Sequence, residues 1–64
     1  MTAAEMRVEA GRKRHSAEIA RRTAPVLSVA ADQEAMLSKA ATFDGEATQL
    51  EAAADTLDAM NRQT

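Results

Sequence analysis

The sequence predicts an all-α chain of two helices with coiled-coil-like packing. Three observations carry that expectation. Apolar residues recur every seven positions from Val29 through Met36, Phe43 and Leu50 to Leu57. A second row, Val26, Gln33, Ala40, Ala47, Ala54 and Asn61, runs on the same helical face. Thr23-Ala24-Pro25 then separates this heptad region from a stretch rich in Ala, Glu and Arg. Two rows at heptad spacing form a seam along which a helix lies against another helix.

The first helix is expected over about residues 3–22, within a basic segment 1–22. Its Ala, Glu and Arg are good helix formers. Glu9–Lys13 and Glu18–Arg22 are spaced as favourable i,i+4 pairs. Arg21 and Arg22 close the segment where the helix dipole favours cations. Its apolar face is thin, made of Met6, Ala10, Ala17 and Ala20. The break is placed at residues 23–25, because Pro25 cannot donate within a helix and disfavours helical geometry at Ala24. Thr23 is a candidate N-cap for the second helix.

The second helix is expected over about residues 25–62, bearing the heptads of the acidic segment 26–62. Asp44-Gly45 is a turn signal that would divide it and give a third helix. The heptad phase argues for continuity, since Gly45 falls at an outward position and Phe43 at a seam position. Both arrangements form one small helical unit across residues 1–64.

Composition narrows what such a unit does. Alanine fills 16 positions, and only 13 residues are larger aliphatic, Met or Phe side chains. With no cysteine for a disulfide, a chain this small is expected to be marginal alone and ordered in company. No run of 18 apolar residues predicts a membrane span, and Glu5 and Arg7 interrupt any signal-peptide core. His15, the sole histidine, lies among Arg12, Lys13, Arg14 and Ser16 with no metal-ligand spacing around it. No nucleophile–base constellation, calcium loop or glycine-rich phosphate loop occurs. The expectation is therefore a non-enzymatic chain with no catalytic, metal or cofactor-binding residue and no small-molecule substrate.

The interface expected from the seam comprises Val26, Val29, Met36, Leu37, Ala40, Phe43, Ala47, Leu50, Ala54, Leu57 and Met60. Alanines in the second row let a neighbouring helix approach to nearer 8 Å than 10 Å. Leu37 and Met60 widen the face toward a second neighbour. Gln33 and Asn61 fall near the seam ends, where they are expected to stay wet, with register-setting amides as the alternative. The partners expected are the chain itself, a larger protein, or both. A structural or adaptor subunit of an assembly such as a virion, a secretion apparatus or a multi-subunit complex fits, in the cytoplasm or inside that assembly. The excess of Ala and Arg suggests a GC-rich bacterial or phage source.

The alternative is a small regulator or inhibitor that uses its basic helix. Residues 1–22 carry a net charge of +3 and residues 23–64 a net charge of −5. Arg12, Lys13, Arg14, Arg21 and Arg22 are the candidate contacts for an anionic partner. Nucleic acid is the secondary expectation. A basic stretch ahead of heptads is similar in order to the basic-region zippers. Yet Ser16 stands in place of their base-reading Asn, Ala24 in place of a phosphate-contacting Arg, and Pro25 interrupts the helix.

Overall fold

The structure, a computed structural model, describes residues 1–63. Two helices, α1 (Ala3–Thr23) and α2 (Ala30–Arg62), are joined by a single 3₁₀ turn over Ala24–Val26. They pack antiparallel as a rod of 55 × 14 × 13 Å. No strand occurs among the described residues.

Helix α1 starts at a capping box. The Glu5 backbone N–H donates to the Thr2 hydroxyl at 3.1 Å, and the Thr2 N–H donates to Glu5 Oε1 at 2.8 Å. Together these satisfy two donors that the first turn leaves without helical partners. The hydrogen bond from the Thr2 backbone, followed by that from its side chain, holds the Glu5 carboxyl below its ordinary value. A lowered carboxyl contributes stability that is present above the unfolded value and lost as pH falls through the folded one. The protection factors of the Glu5 and Met6 amides, exchange rates corrected for the intrinsic pH dependence, should therefore fall as pH drops below the ordinary 4.5 of glutamate, and Glu5→Gln should abolish that response.

The end of α1 differs from the expected boundary in an instructive way. Thr23 does not cap the second helix. Its hydroxyl donates back to the Ile19 carbonyl at 2.8 Å, so it completes α1. Pro25 then stands in the first turn of the 3₁₀ segment, where its missing N–H leaves no hydrogen bond unmade. Leu27 and Val29 are extended, and Val29 is the N-cap of α2, with no side-chain cap. The break thus covers residues 24–29 rather than 23–25. Reversing the chain by half a turn takes more extended backbone than a kink does. Gln33 secures the reversal by donating Nε2–H to the Leu27 carbonyl at 2.6 Å. Its amide is a loop clamp inside one chain.

Helix α2 runs through Asp44-Gly45 without interruption, so the third helix does not form. Gly45 has no positive φ, and a Cβ built on it meets no heavy atom within 4 Å. Nothing in the fold requires glycine there. Gly45→Ala should raise stability by about 0.5–1 kcal/mol, read as a higher denaturation midpoint, because it removes backbone entropy from the unfolded chain.

The core between the helices is alanine throughout. Ala3, Ala10, Ala17, Ala20 and Ala24 on one side, and Ala40, Ala47 and Ala54 on the other, are the buried residues. Ala10, Ala17, Ala47 and Ala54 are fully enclosed, at 0% exposure. No larger side chain is fully buried among the described residues. Small side chains bring two helix backbones close, and dispersion between backbones replaces the interdigitation of larger groups.

Candidate docking face

Alanine in the seam leaves the hairpin with two long edges of opposite chemistry. On one edge, three arginines of α1 stand seven apart: Arg7, Arg14 and Arg21. Asp58, Glu51 and Asp44 step back by seven along α2 to meet them. Arg7 Nη2 lies 2.6 Å from Asp58 Oδ2 and 3.0 Å from Asp55 Oδ1. Arg14 pairs with Glu51 and lies 3.6 Å from Asp44, which also takes Arg21. The hydrogen bond to Asp58, then that to Asp55, raises the Arg7 guanidinium above its ordinary value, and the bond to Glu51 does the same for Arg14.

This ladder accounts for much of the charge asymmetry between the two halves of the chain, because basic α1 and acidic α2 neutralise each other within one molecule. The five candidate contacts for an anionic partner are all engaged. Arg14 and Arg21 belong to the ladder, and Lys13 reaches Glu46 at 3.2 Å. Arg12 pairs with Glu9 at 3.6 Å, and Arg22 pairs with Glu18. The expected Glu18–Arg22 pair is present, while Glu9 takes Arg12 in place of Lys13, which instead bridges the helices.

The ladder matches the axial register of the hairpin, and its contribution to stability can be measured. Arg14→Glu and Glu51→Arg should each lower the melting temperature, and the double exchange should restore much of the loss. One molar salt should shrink all three differences, since these partners are solvent-exposed. Equal melting temperatures for all four chains would show that register comes from the alanines alone.

The opposite edge is apolar and open. Met36, Phe43, Leu50 and Leu57, the larger row of the heptad seam, are only partly buried. Met36 and Phe43 rest against the cluster of Ala17, Ala20 and Ala40. Shallow hollows lie along this edge: Leu27 and Met36 line one near the loop, Ser16, Ala20, Thr23 and Phe43 line the next, and Lys13 and Leu50 line a separate one with Glu9, Glu46 and Gln49. The Lys13 ammonium lies 5.6 Å from the Phe43 ring centroid and that of Lys39 lies 6.0 Å away, so both cap the ring electrostatically.

The eleven residues expected at the interface therefore divide. Ala40, Ala47 and Ala54 are consumed inside the hairpin. Met36, Phe43, Leu50 and Leu57 form the open edge. Met60, 59% exposed, flanks that edge, while Leu37, 50% exposed, falls in the heptad column of Asp44, Glu51 and Asp58 on the ladder side. Val26 and Val29 leave the seam, because the loop carries them off the helix, and Val26 is 79% exposed at the tip.

The α2 alanines meet the thin apolar face expected of α1, of which Ala10, Ala17 and Ala20 are buried. What sequence reasoning missed is that this face is the partner, continued by Ala3 and Ala24 at steps of seven, with Arg7, Arg14 and Arg21 in phase beside it. Among the described residues no group of His, Asp and Glu could hold a metal, and no helix is long and apolar enough to cross a membrane. No family model, curated protein or solved structure matches the chain, so the two unlike edges of the hairpin are what a functional reading rests on.

Proposed function

We propose that this chain is a non-enzymatic structural or adaptor subunit that docks by the apolar edge of its helical hairpin. One observation carries the reading. The chain fills its internal seam with alanine and leaves its larger row, Met36, Phe43, Leu50 and Leu57, along one open edge. A helical layer with an apolar edge reaches a stable arrangement by burying that edge against another layer. A single pair of helices with an alanine core has little else to bury.

The docked chain would serve as a rigid strut within a larger assembly, of which a virion, a secretion apparatus or a multi-subunit complex are examples. The regulator that binds anions through its basic helix is less well supported. Its cations face carboxylates of the same chain, and phosphate would have to displace them.

Co-purification from the native source tests the docking reading. The wild-type chain should recover a defined partner or further copies of itself, and Phe43→Asp should lose them. Ala52→Asp, at an exposed position of α2, should retain them. Equal recovery by Phe43→Asp, with its helix content intact, would overturn the reading.

A further inference from the structure

We infer that the Leu27–Ser28 peptide bond is a site for an endoprotease that cuts after large apolar residues, and that its hydrolysis parts the basic helix from the acidic one. Between Ala3 and Arg62 only residues 24–29 lie outside the α-helices. A protease takes its substrate as an extended strand, and helical backbone has its amide groups already paired. Exposed loop tips are accordingly where folded chains are nicked. Leu27 and Val29 are already extended, with φ and ψ of −80° and 139° and of −103° and 123°. Val26, Ser28 and Val29 stand exposed around the bond.

Side-chain chemistry selects the bond and the class of enzyme. All eight Lys and Arg residues lie in helices, so an enzyme that cuts after cations finds no extended site. Leu37, Phe43, Leu50 and Leu57 are helical as well. Leu27 is the one leucine or phenylalanine outside the helices. Its carbonyl is guarded, because it accepts the Gln33 Nε2–H at 2.6 Å. That oxygen must leave the amide to meet the oxyanion-stabilising donors of a protease. Gln33 therefore slows the cut, which waits on a local opening of the loop.

In the hydrolysis the oxygen of water bonds to the Leu27 carbonyl carbon, and the C–N bond breaks. Leu27 ends as a carboxylate, and the Ser28 nitrogen takes both water protons as an ammonium. Each new charge falls at the unfavourable end of a helix. The ammonium lies just ahead of α2, at the positive end of its dipole, and the carboxylate follows the negative end of α1.

A short loop holds the two helices at an effective concentration on the order of 1 mM. Diluted to roughly 1 μM, the severed halves lose about a thousandfold in pairing, ~4.1 kcal/mol. What remains between them is an alanine seam and exposed ion pairs, which contribute little. Most of the stability of a helix in a protein comes from packing, so both halves lose helix once apart. Arg7, Arg14 and Arg21 then leave Asp58, Glu51 and Asp44. Residues 1–27 become a free peptide with six basic side chains against three acidic ones. The loop is thus a fuse that keeps the cations of α1 masked while it is whole.

The test treats the purified chain with a trace of chymotrypsin and follows it by mass spectrometry. Residues 1–27 and 28–64 should be the first products, while trypsin leaves the chain whole over the same interval. A chain left whole by chymotrypsin, or first cut after Phe43 or Leu50, would overturn the site. At roughly 1 μM the two products should elute apart with most of the helical signal gone. Residues 1–27 should also bind immobilised heparin at a salt concentration that elutes the intact chain. Products that travel together with their helical signal intact would overturn the separation. Gln33→Ala, with its helix content intact, should be cut several-fold faster at the same bond, and an equal rate would refute the guarding of the carbonyl.

Discussion

Leucine in place of Ala47 should be among the most damaging single substitutions this chain can carry. Ala47 is fully enclosed between the helices, at 0% exposure, halfway along the seam. The three extra carbons have nowhere to go without parting the backbones. Overpacking of this kind costs typically about 1–3 kcal/mol. A chain of 64 residues holds on the order of 3–10 kcal/mol in total, so the loss is a large share of its stability. The denaturation midpoint of Ala47→Leu should fall accordingly, while Ala52→Leu on the exposed side of α2 should stay within about 0.5 kcal/mol of the parent. Ala17→Leu, equally enclosed on α1, should behave like Ala47→Leu. Unchanged midpoints would mean that the helices are not held at alanine distance.

Aspartate in place of Leu50 should leave the hairpin helical and end its association. Leu50 sits on the open edge beside Lys13 and is only partly buried within one chain. On the proposed docking, what it buries further is buried against a partner. Full burial of a leucine contributes roughly 1.5–3 kcal/mol, so completing that of Leu50 contributes less than this, and losing it weakens binding by at most roughly 10- to 150-fold before the expense of burying a carboxylate is added. Sedimentation should show a single-chain species at concentrations where the parent is associated, with an unchanged helical spectrum. A Leu50→Asp chain that still associates would place the interface elsewhere.

The two substitutions separate the two rows of the heptad, and that separation explains how far the sequence could be read. The all-α class and the continuity of α2 through Asp44-Gly45 were legible, because apolar phase accumulates over four heptads and survives one turn-prone dipeptide. The edge row was legible for the same reason: Met36, Phe43, Leu50 and Leu57 are large, and large apolar groups signal burial strongly. Their destination was not legible. Alanine carries so little apolar area that a row of it reads as filler, yet spacing between helices is decided by the smallest residues that meet. Ala10 and Ala17 were legible as an apolar face of α1, but Ala3 and Ala24, and the role of the row as the internal seam, were not. The pairing of charges was hidden differently. Glu9 and Lys13 satisfy a rule about neighbours within a helix, but the lysine has a second carboxylate, Glu46, within reach across the seam, and local spacing cannot rank the two. The loop boundary was missed because the number of residues needed to reverse a chain depends on the gap between helices, which is a property of the pair.

The matched steps of seven have a consequence for how such a molecule can change. The alanine seam, the arginine ladder and the apolar edge all repeat at the same interval, and both helices repeat together. Adding seven residues to each helix at the same level would lengthen the rod by about 10.5 Å while reproducing its cross-section. Insertion in one helix alone would throw every rung out of step. Length in this architecture is a free parameter, adjustable in fixed increments, while breadth and edge chemistry stay constant, so the hairpin has the makings of a molecular ruler.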